Sequence, residues 1–363
     1  MRELTLKQKR IQTLLAEKNL DALWLQRTSS FAWATCGAAS YINTASTTGA
    51  ASLLITPNAR YLITNNIERP RLENEEQLAA QGWEFRTAFW HDANPAIAEL
   101  TRGLKLGTDF PVAGATDLSN EMARLRANLT SEENERIRAL GKICAEAMNA
   151  AIHAVRPGQT EFEIAARLGQ EAQTRGAQPI VNLIATDERV FNYRHPLPTA
   201  KQMDQYAMLV LVGRKGGLCC SMTRLVHFGK LPDELRRKAE ACARVDATFI
   251  AATRPGKKSS EVVQRAIDAY AAAGFADEWH LHHQGGSTGY EPREYLGAPN
   301  SNDVVARGQA YAWNPSITGT KSEDTILVGD HSNEVITQIA GWQTISINVD
   351  GQVIERPAIL EII

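Results

Sequence analysis

Cysteine is scarce in this chain. Five residues (Cys36, Cys144, Cys219, Cys220 and Cys242) are spread over 363 positions, odd in number and with no C-x-x-C pair, so neither a disulfide framework nor a structural zinc site is suggested. Reduced, buried thiols are the expectation. A surplus of either charge is also missing, since 39 Lys+Arg stand against 41 Asp+Glu for a formal net charge of −2. That balance gives no sequence-wide attraction to phosphate backbones or anionic lipid, so nucleic acid and membranes are not expected partners. The first ten residues mix charges with isolated apolar side chains and lack the apolar core of a secretory leader. No later stretch approaches the roughly 20 apolar residues that cross a bilayer, and the expected location is the cytoplasm. Low-complexity tracts and charge runs are absent too.

What is present is a 44% hydrophobic composition over a length that suits two domains. Residues 1–127 carry short strand-like runs at 51–56 and 60–64 between helical stretches such as 5–18, the pattern of an α/β domain. A second domain, 128–363, opens at Asn128-Leu-Thr-Ser-Glu-Glu133, where Thr130 and Glu133 have the spacing of a capping box. The helix begun there is predicted to run to about Val155, because Pro157 lacks the backbone donor and Gly158 tolerates the turn. Thr160 and Glu163 then form another capping box. Cys144-Ala145, Ile152, Ala154 and Arg156-Pro-Gly158 recur 98 positions later as Cys242-Ala243, Ile250, Ala252 and Arg254-Pro-Gly256, seven matches in fifteen positions. Two related halves in the second domain are the simplest inference; the plainer alternative is that Arg-Pro-Gly merely stops two ordinary helices.

Between the helices lie β signals. Residues 208–212 and 220–228 flank turn material at 213–217 and read as a hairpin, with further strands expected at 279–284, 310–314 and 324–328. The second domain is therefore expected to be α+β with a curved, mainly antiparallel sheet.

Three of the eight histidines lie in Trp279-His-Leu-His-His-Gln-Gly-Gly286. In an extended chain His280 and His282 share one face while His283 points with Leu281 to the other, which predicts a solvated pair and one hydrogen-bonded core histidine. A metal there would need further ligands from elsewhere. The following stretch holds three glycines close to Tyr290, Glu291, Arg293 and Glu294, a density that suits a functional loop better than a plain turn. Glu323 precedes an apolar strand, and an acid entering a sheet must be paired or protonated, which makes it a candidate base. His195, isolated in Arg194-His-Pro196, reads by itself as a surface residue.

Taken together, these stretches resemble the creatinase, prolidase and aminopeptidase P family, also called peptidase M24. The resemblance rests on Leu129-Thr-Ser-Glu-Glu-Asn-Glu-Arg-Ile-Arg138, Arg156-Pro-Gly-Gln-Thr-Glu-Phe-Glu-Ile-Ala165, Ser221-Met-Thr-Arg224, His283-Gln-Gly-Gly286 and Ser322-Glu-Asp-Thr-Ile-Leu-Val328. It implies an α/β N-terminal domain followed by an α+β, internally duplicated pita-bread domain. Peptidases of this family hold two metal ions with two aspartates, one histidine and two glutamates. Those positions fall here on Val210, Ser221, His283, Asn314 and Glu323, so three carboxylates are replaced and too few anionic donors are left for a dinuclear site. No metal and no other cofactor is expected. A substrate-contacting histidine of the family matches His195, which revises its surface reading, and another falls on Tyr290 beside Glu291. Creatinase, a family member that works without metal, hydrolyses a carbon–nitrogen bond with a histidine as proton shuttle, and His195 takes that position. Its additional acid falls here on Thr223, which argues against creatine as the substrate.

The function expected from the resemblance is a metal-independent, creatinase-like hydrolase cleaving a carbon–nitrogen bond of a small polar metabolite. His195 would be the proton shuttle, Glu323 would orient water, His283, Tyr290 and Asn314 would donate hydrogen bonds, and Arg293 would clamp a carboxylate, with Glu291 and Ser221 also lining the site. The alternatives are a non-catalytic binding or regulatory protein, an Xaa-Pro-type peptidase with a degenerate metal site, and nucleophilic attack by Ser221 or Cys220, although no Gly-x-Ser-x-Gly elbow is present. A small-molecule substrate and a homodimer are the expected partners, with residues 29–43 as candidates for completing a neighbour's pocket.

Overall fold

The structure is a computed structural model that describes residues 2–363 and divides into two units after Arg126. In the first unit the helix Arg2–Lys18 buries Ile11, Leu14 and Leu15, the spacing of one apolar helical face. The same face buries Lys7, whose ammonium pairs with Glu3 at 2.6 Å and donates to the Trp33 carbonyl at 2.8 Å. Six strands form one mixed sheet in the order Glu84–Ala88, Arg60–Asn65, Thr48–Ile55, Ala22–Arg27, Leu106–Thr108, Thr116–Asp117. One face carries buried Leu23, Leu25, Leu53 and Leu62, and the other carries Leu54. Within 29–43, Ser29 to Thr35 are buried in this unit's own core, and only Ile42 and Asn43 are exposed.

The second unit opens on the predicted helix, Ser131–His153. Thr130 Oγ1 accepts from the Glu133 amide at 3.2 Å while Glu133 Oε2 accepts from the Thr130 amide at 2.6 Å, so the helix start is fixed reciprocally. The helix Glu161–Thr174 repeats this with Thr160 and Glu163. The related pair is Asp233–Ala252 and Ser259–Ala272, where Lys258 replaces the capping threonine but Glu261 still accepts from its amide at 2.7 Å. The two Arg-Pro-Gly turns are conformationally alike, with φ of 88° at Gly158 and 85° at Gly256. Each donates to a returning segment, to the Met203 carbonyl at 2.8 Å and to the Val305 carbonyl at 2.9 Å. Equivalent long-range pairing around both turns is what duplicated halves produce and what two unrelated helix stops would not.

The predicted hairpin is longer than its apolar core. Tyr206–Lys215 and Leu218–Phe228 pair antiparallel around Gly216 and Gly217. They sit in a four-stranded sheet ordered Leu360–Ile362, Leu218–Phe228, Tyr206–Lys215, Gln178–Thr186, in which the last strand of the chain runs parallel. A second sheet of five strands is ordered Tyr295–Leu296, Gly285–Thr288, Ala310–Trp313, Asp324–Leu327, Glu334–Val335. The two sheets meet where the Thr223 amide donates to the Glu323 carbonyl at 3.1 Å. One expected strand is corrected: Glu278–Leu281, overlapping the start of the 279–284 run, is a 3-10 helix, and extended pairing begins only at Gly285. No helix among the described residues is long and apolar enough to cross a membrane.

Candidate functional site

The site is assembled from four segments that the sheets bring together. Gly285, at φ 92°, starts one strand because an added Cβ would lie 2.2 Å from the Ala312 carbonyl oxygen, so only glycine allows this close strand approach. The segment before it is pinned by Gln284, whose side-chain amide donates to the His282 carbonyl at 2.6 Å and accepts from the Tyr270 hydroxyl at 2.9 Å. Arg194 ties the loop carrying His195 to the preceding 3-10 helix through Glu278 at 2.7 Å and to Thr318 at 3.0 Å. His195 is thereby held against this segment, with its ring contacting His282 while remaining exposed.

Three imidazoles result. Nε2 of His282 lies 3.1 Å from Nε2 of His195, and the His283 ring is 5.3 Å from that of His195 and 4.6 Å from that of His282. The alternation expected for an extended chain fails because the turn of 3-10 helix resets the direction. His280 stays outside, its ring tilted against that of Trp279 with centroids 3.8 Å apart, whereas the consecutive pair His282 and His283 faces His195. His282 is buried, while His195 and His283 reach solvent. Burial first, and then Lys321 for all three rings with Arg293 for His283 and His195, disfavour the charged imidazoles: His282 is lowered to about 2, His283 to about 4, and His195 is also shifted down. The Gly285 amide donates to Nδ1 of His283 at 3.3 Å, which leaves the Nε2–H of the neutral ring as a donor. Ser316 Oγ contacts Nδ1 of His282 at 3.4 Å.

Beneath this cluster lies Glu323, 1% exposed. Burial alone would raise its pKa, but Lys321 and Arg293, each 3.0 Å from its carboxylate, and the Thr223 hydroxyl at 2.6 Å hold it down to about 2. Arg293 also donates to Ser221 Oγ at 3.1 Å. A carboxylate so engaged is a permanent anion and not a base, which corrects the candidate role given to Glu323. The positions assigned to a dinuclear metal pair are filled in a way that does not fit one. Val210 belongs to an apolar core cluster, the Ser221 oxygen takes an arginine proton, and the surviving carboxylate is already paired with two cations that would repel a divalent ion. Asn314 is buried, and its Oδ1 has no hydrogen-bond partner among the described residues.

The remaining candidates part company with this cluster. The Tyr290 hydroxyl donates to Glu133 Oε1 at 2.7 Å and the side chain is buried, so it braces the start of the helix Ser131–His153 and corrects the expected substrate-binding role. The Glu291 carboxylate makes no hydrogen bond or ion pair among the described residues; its carbonyl accepts from the Thr288 hydroxyl and the Gly289 amide. Cys220 and Ser221 are fully buried, and burial pushes the Cys220 thiol well up, which removes both as nucleophiles. Two functional residues escape the sequence. Strand alternation puts His282 on the wrong face, and Lys321 belongs to no motif, although its two-residue spacing from Glu323 puts both on one side of an extended segment.

The profile described as metallopeptidase family M24 matches residues 135–330. Among curated proteins, the Xaa-Pro dipeptidase of Lactobacillus helveticus is 25% identical over 274 residues, covering 70% of this chain and 73% of its own length. Among solved structures, the Xaa-Pro dipeptidase from Bacillus anthracis superposes with a TM-score of 0.80 at 20% identity, over 99% of this chain and 100% of the other. The prolidase from Pyrococcus horikoshii gives 0.78 at 18% identity, over 92% and 98%. These likenesses confirm the pita-bread fold with its N-terminal domain. The named relatives are peptidases, which favours the peptidase alternative over the creatinase-like label. The match spans more than half of the sequence, and the chain belongs to metallopeptidase family M24.

Proposed function

We propose that this chain hydrolyses an amide carbon–nitrogen bond in a small, peptide-like substrate, with the imidazole cluster doing the proton transfer and without the dinuclear ion pair of the family. The observation that carries the proposal is the trio of His195, His282 and His283, drawn from two distant segments and kept neutral. A neutral, solvent-reaching imidazole accepts a proton at pH 7, as a general base must. In this reading His195 takes a proton from water as the water oxygen attacks the carbonyl carbon, and returns it to the amine nitrogen as the bond breaks. The Nε2–H of His283 donates to the carbonyl oxygen as it gains charge. His282 holds His195 through the Nε2 contact, and Glu323 supplies no proton. The peptidase names of the relatives support an amide substrate over a guanidino one, as does a site in which two cations face one carboxylate.

Turnover of a dipeptide panel that includes Xaa-Pro sequences, by the full-length protein and by His195→Ala, tests this. A general base contributes roughly 10²- to 10⁴-fold, and a loss of that size is expected. Unchanged turnover in the variant would refute the assignment of His195, and binding without hydrolysis across the panel would favour a binding protein.

One observation favours a second reading. The metal-capable nitrogens of the three histidines lie within 4.8 Å of one another, and neutral imidazoles suit a single transition ion. Stoichiometric metal in the purified protein, with activity lost on chelation, would favour that reading over the first.

A further inference from the structure

We propose that a cavity of about 580 Å³, lined by Arg254 and Trp342 and separate from the imidazole cluster, is a second ligand site. Its ligand is a small organic acid, an apolar or aromatic body bearing one carboxylate that Arg254 receives. The site does not depend on the hydrolase reading.

Arg254 departs from its counterpart in the internal repeat. In the first half Arg156 folds back on its own helix end, where its Nη1 donates to the carbonyls of His153 and Val155 at 2.8 and 2.6 Å. In the second half the carbonyl equivalent to that of Val155 belongs to Thr253, and Asn333 takes it instead. The Asn333 Nδ2 donates to the Thr253 carbonyl at 2.8 Å and to the Ile250 carbonyl at 2.7 Å. With the helix end already capped, the Arg254 side chain lines the cavity. Among the described residues its side chain makes one hydrogen bond, from Nη2 to the neutral Gln352 Oε1 at 2.7 Å, and its buried Nη1 has no partner. It has no ion-pair partner either, and burial alone acts on its titration, pulling it below the usual arginine value. A half-buried guanidinium without a counter-charge costs desolvation energy that a bound anion would offset.

The other charges along the cavity are accounted for. Asp324 pairs with Arg224 at 2.8 Å and with Arg356 at 2.7 Å, and Arg356 pairs with Asp246 at 2.7 Å, so two cations meet two anions. Glu355 leaves its strand on the face opposite to Gln352 and Arg356, and its carboxylate accepts from the cross-strand Ser346 hydroxyl at 2.6 Å. Arg254 is left as the one uncompensated charge. A monoanion matches it, and the planar guanidinium suits the two oxygens of a carboxylate. Much of the remaining wall is apolar, supplied by Ile250, Ile339, Ile354 and Trp342. The Trp342 ring is held by donation from its Nε1 to the Ala358 carbonyl at 2.9 Å. Small-molecule sites occupy roughly 300–1,000 Å³ and combine apolar walls with a few placed polar groups, a description this cavity meets. Because Glu323 and Asp324 are consecutive in an extended segment, their side chains point to opposite faces. Only Asp324 lines the cavity, which is why the cavity and the imidazole site are distinct.

The test is calorimetric titration of the full-length protein with phenylacetate, using phenylacetamide as the neutral counterpart and acetate as the anion without a ring. Saturable binding at one site is expected for phenylacetate, with either control weaker by about tenfold or more. Arg254→Gln should raise the phenylacetate Kd about tenfold or more, the loss of a charge-assisted contact. His195→Ala, altered at the imidazole site, should bind the probe as the wild type does. Absence of saturable binding to the wild type, equal affinity of the wild type and Arg254→Gln, or weakened binding in His195→Ala overturns the proposal. Should Arg254→Gln not fold, a crystal structure of the wild type with phenylacetate decides: a carboxylate on Arg254 supports the site, and a probe that is elsewhere or absent overturns it. Because nothing in this experiment requires turnover, a failed dipeptide assay condemns the hydrolase reading and leaves this site standing.

Discussion

Lowering the pH from 7 to 5 should destabilise this protein through His282, by an amount that can be worked out in advance. In the folded state His282 titrates near 2, and free imidazole titrates at 6.5. Between those values the unfolded chain binds a proton that the folded chain does not, so stability rises with pH in this window and is lost as pH falls below 6.5. At pH 5 the difference covers 1.5 units below the unfolded value, and at 1.36 kcal/mol per unit the loss is about 2 kcal/mol. That figure does not depend on where below 5 the folded pKa lies, only on its being there. The assay is urea unfolding at pH 7 and pH 5 for wild type and His282→Gln, followed by tryptophan fluorescence. The variant keeps every other titrating group, including His283, so the wild type should lose about 2 kcal/mol more than the variant does over the same step. Equal losses in the two proteins would refute the claim that His282 is held uncharged by its surroundings.

Other consequences are equally direct. Because His195 is shifted below its ordinary value, the acid-side decline of kcat/KM in the dipeptide assay should have its midpoint below pH 6.5, and a decline centred at 6.5 or above would contradict this. Arg356→Met leaves the buried carboxylates Asp246 and Asp324 with too little counter-charge and should cost about 3–5 kcal/mol in chemical denaturation. Tyr290→Phe strips the hydroxyl from buried Glu133 and should cost about 1–3 kcal/mol while leaving turnover per folded molecule unchanged. A selective rise in KM would return Tyr290 to the substrate.

The helices are the most legible part of the sequence, because their starts are written in local chemistry. Thr130 with Glu133 and Thr160 with Glu163 need only each other to satisfy the first amides, and no distant residue can override that. The hairpin is legible for the same reason, its two apolar runs being joined by Gly216 and Gly217. The histidine segment misleads because its pattern suits a strand where tertiary contacts decide otherwise. Gln284 and Tyr270 hold the chain in a turn just before Gly285, and a shift of that kind reverses which side chains face inward. Tyr290 misleads in a similar way, since a position in a loop does not say which way the ring turns, and Glu133, 157 positions away, claims its hydroxyl. Lys321 shows the opposite case, a residue whose spacing from Glu323 is visible but whose meaning needs the arginine brought in from the Gly-rich loop.

That arginine decides how the site should be understood. Removing three carboxylates from a cation-binding site would by itself produce a neutral pocket, and a neutral pocket is compatible with slow loss of any role. The site here goes further: the carboxylate that remains is met by a lysine and an arginine at equal distances, and its pKa falls accordingly. Around Glu323 the local charge is therefore a surplus of cations. Holding a buried lysine and a partly buried arginine against one anion costs desolvation energy that apolar replacements would spare. The imidazoles complete the logic. Burial first and the nearby cations second suppress protonation of His195, His282 and His283, so the surroundings that hold Glu323 as an anion also leave the imidazoles free to accept a proton.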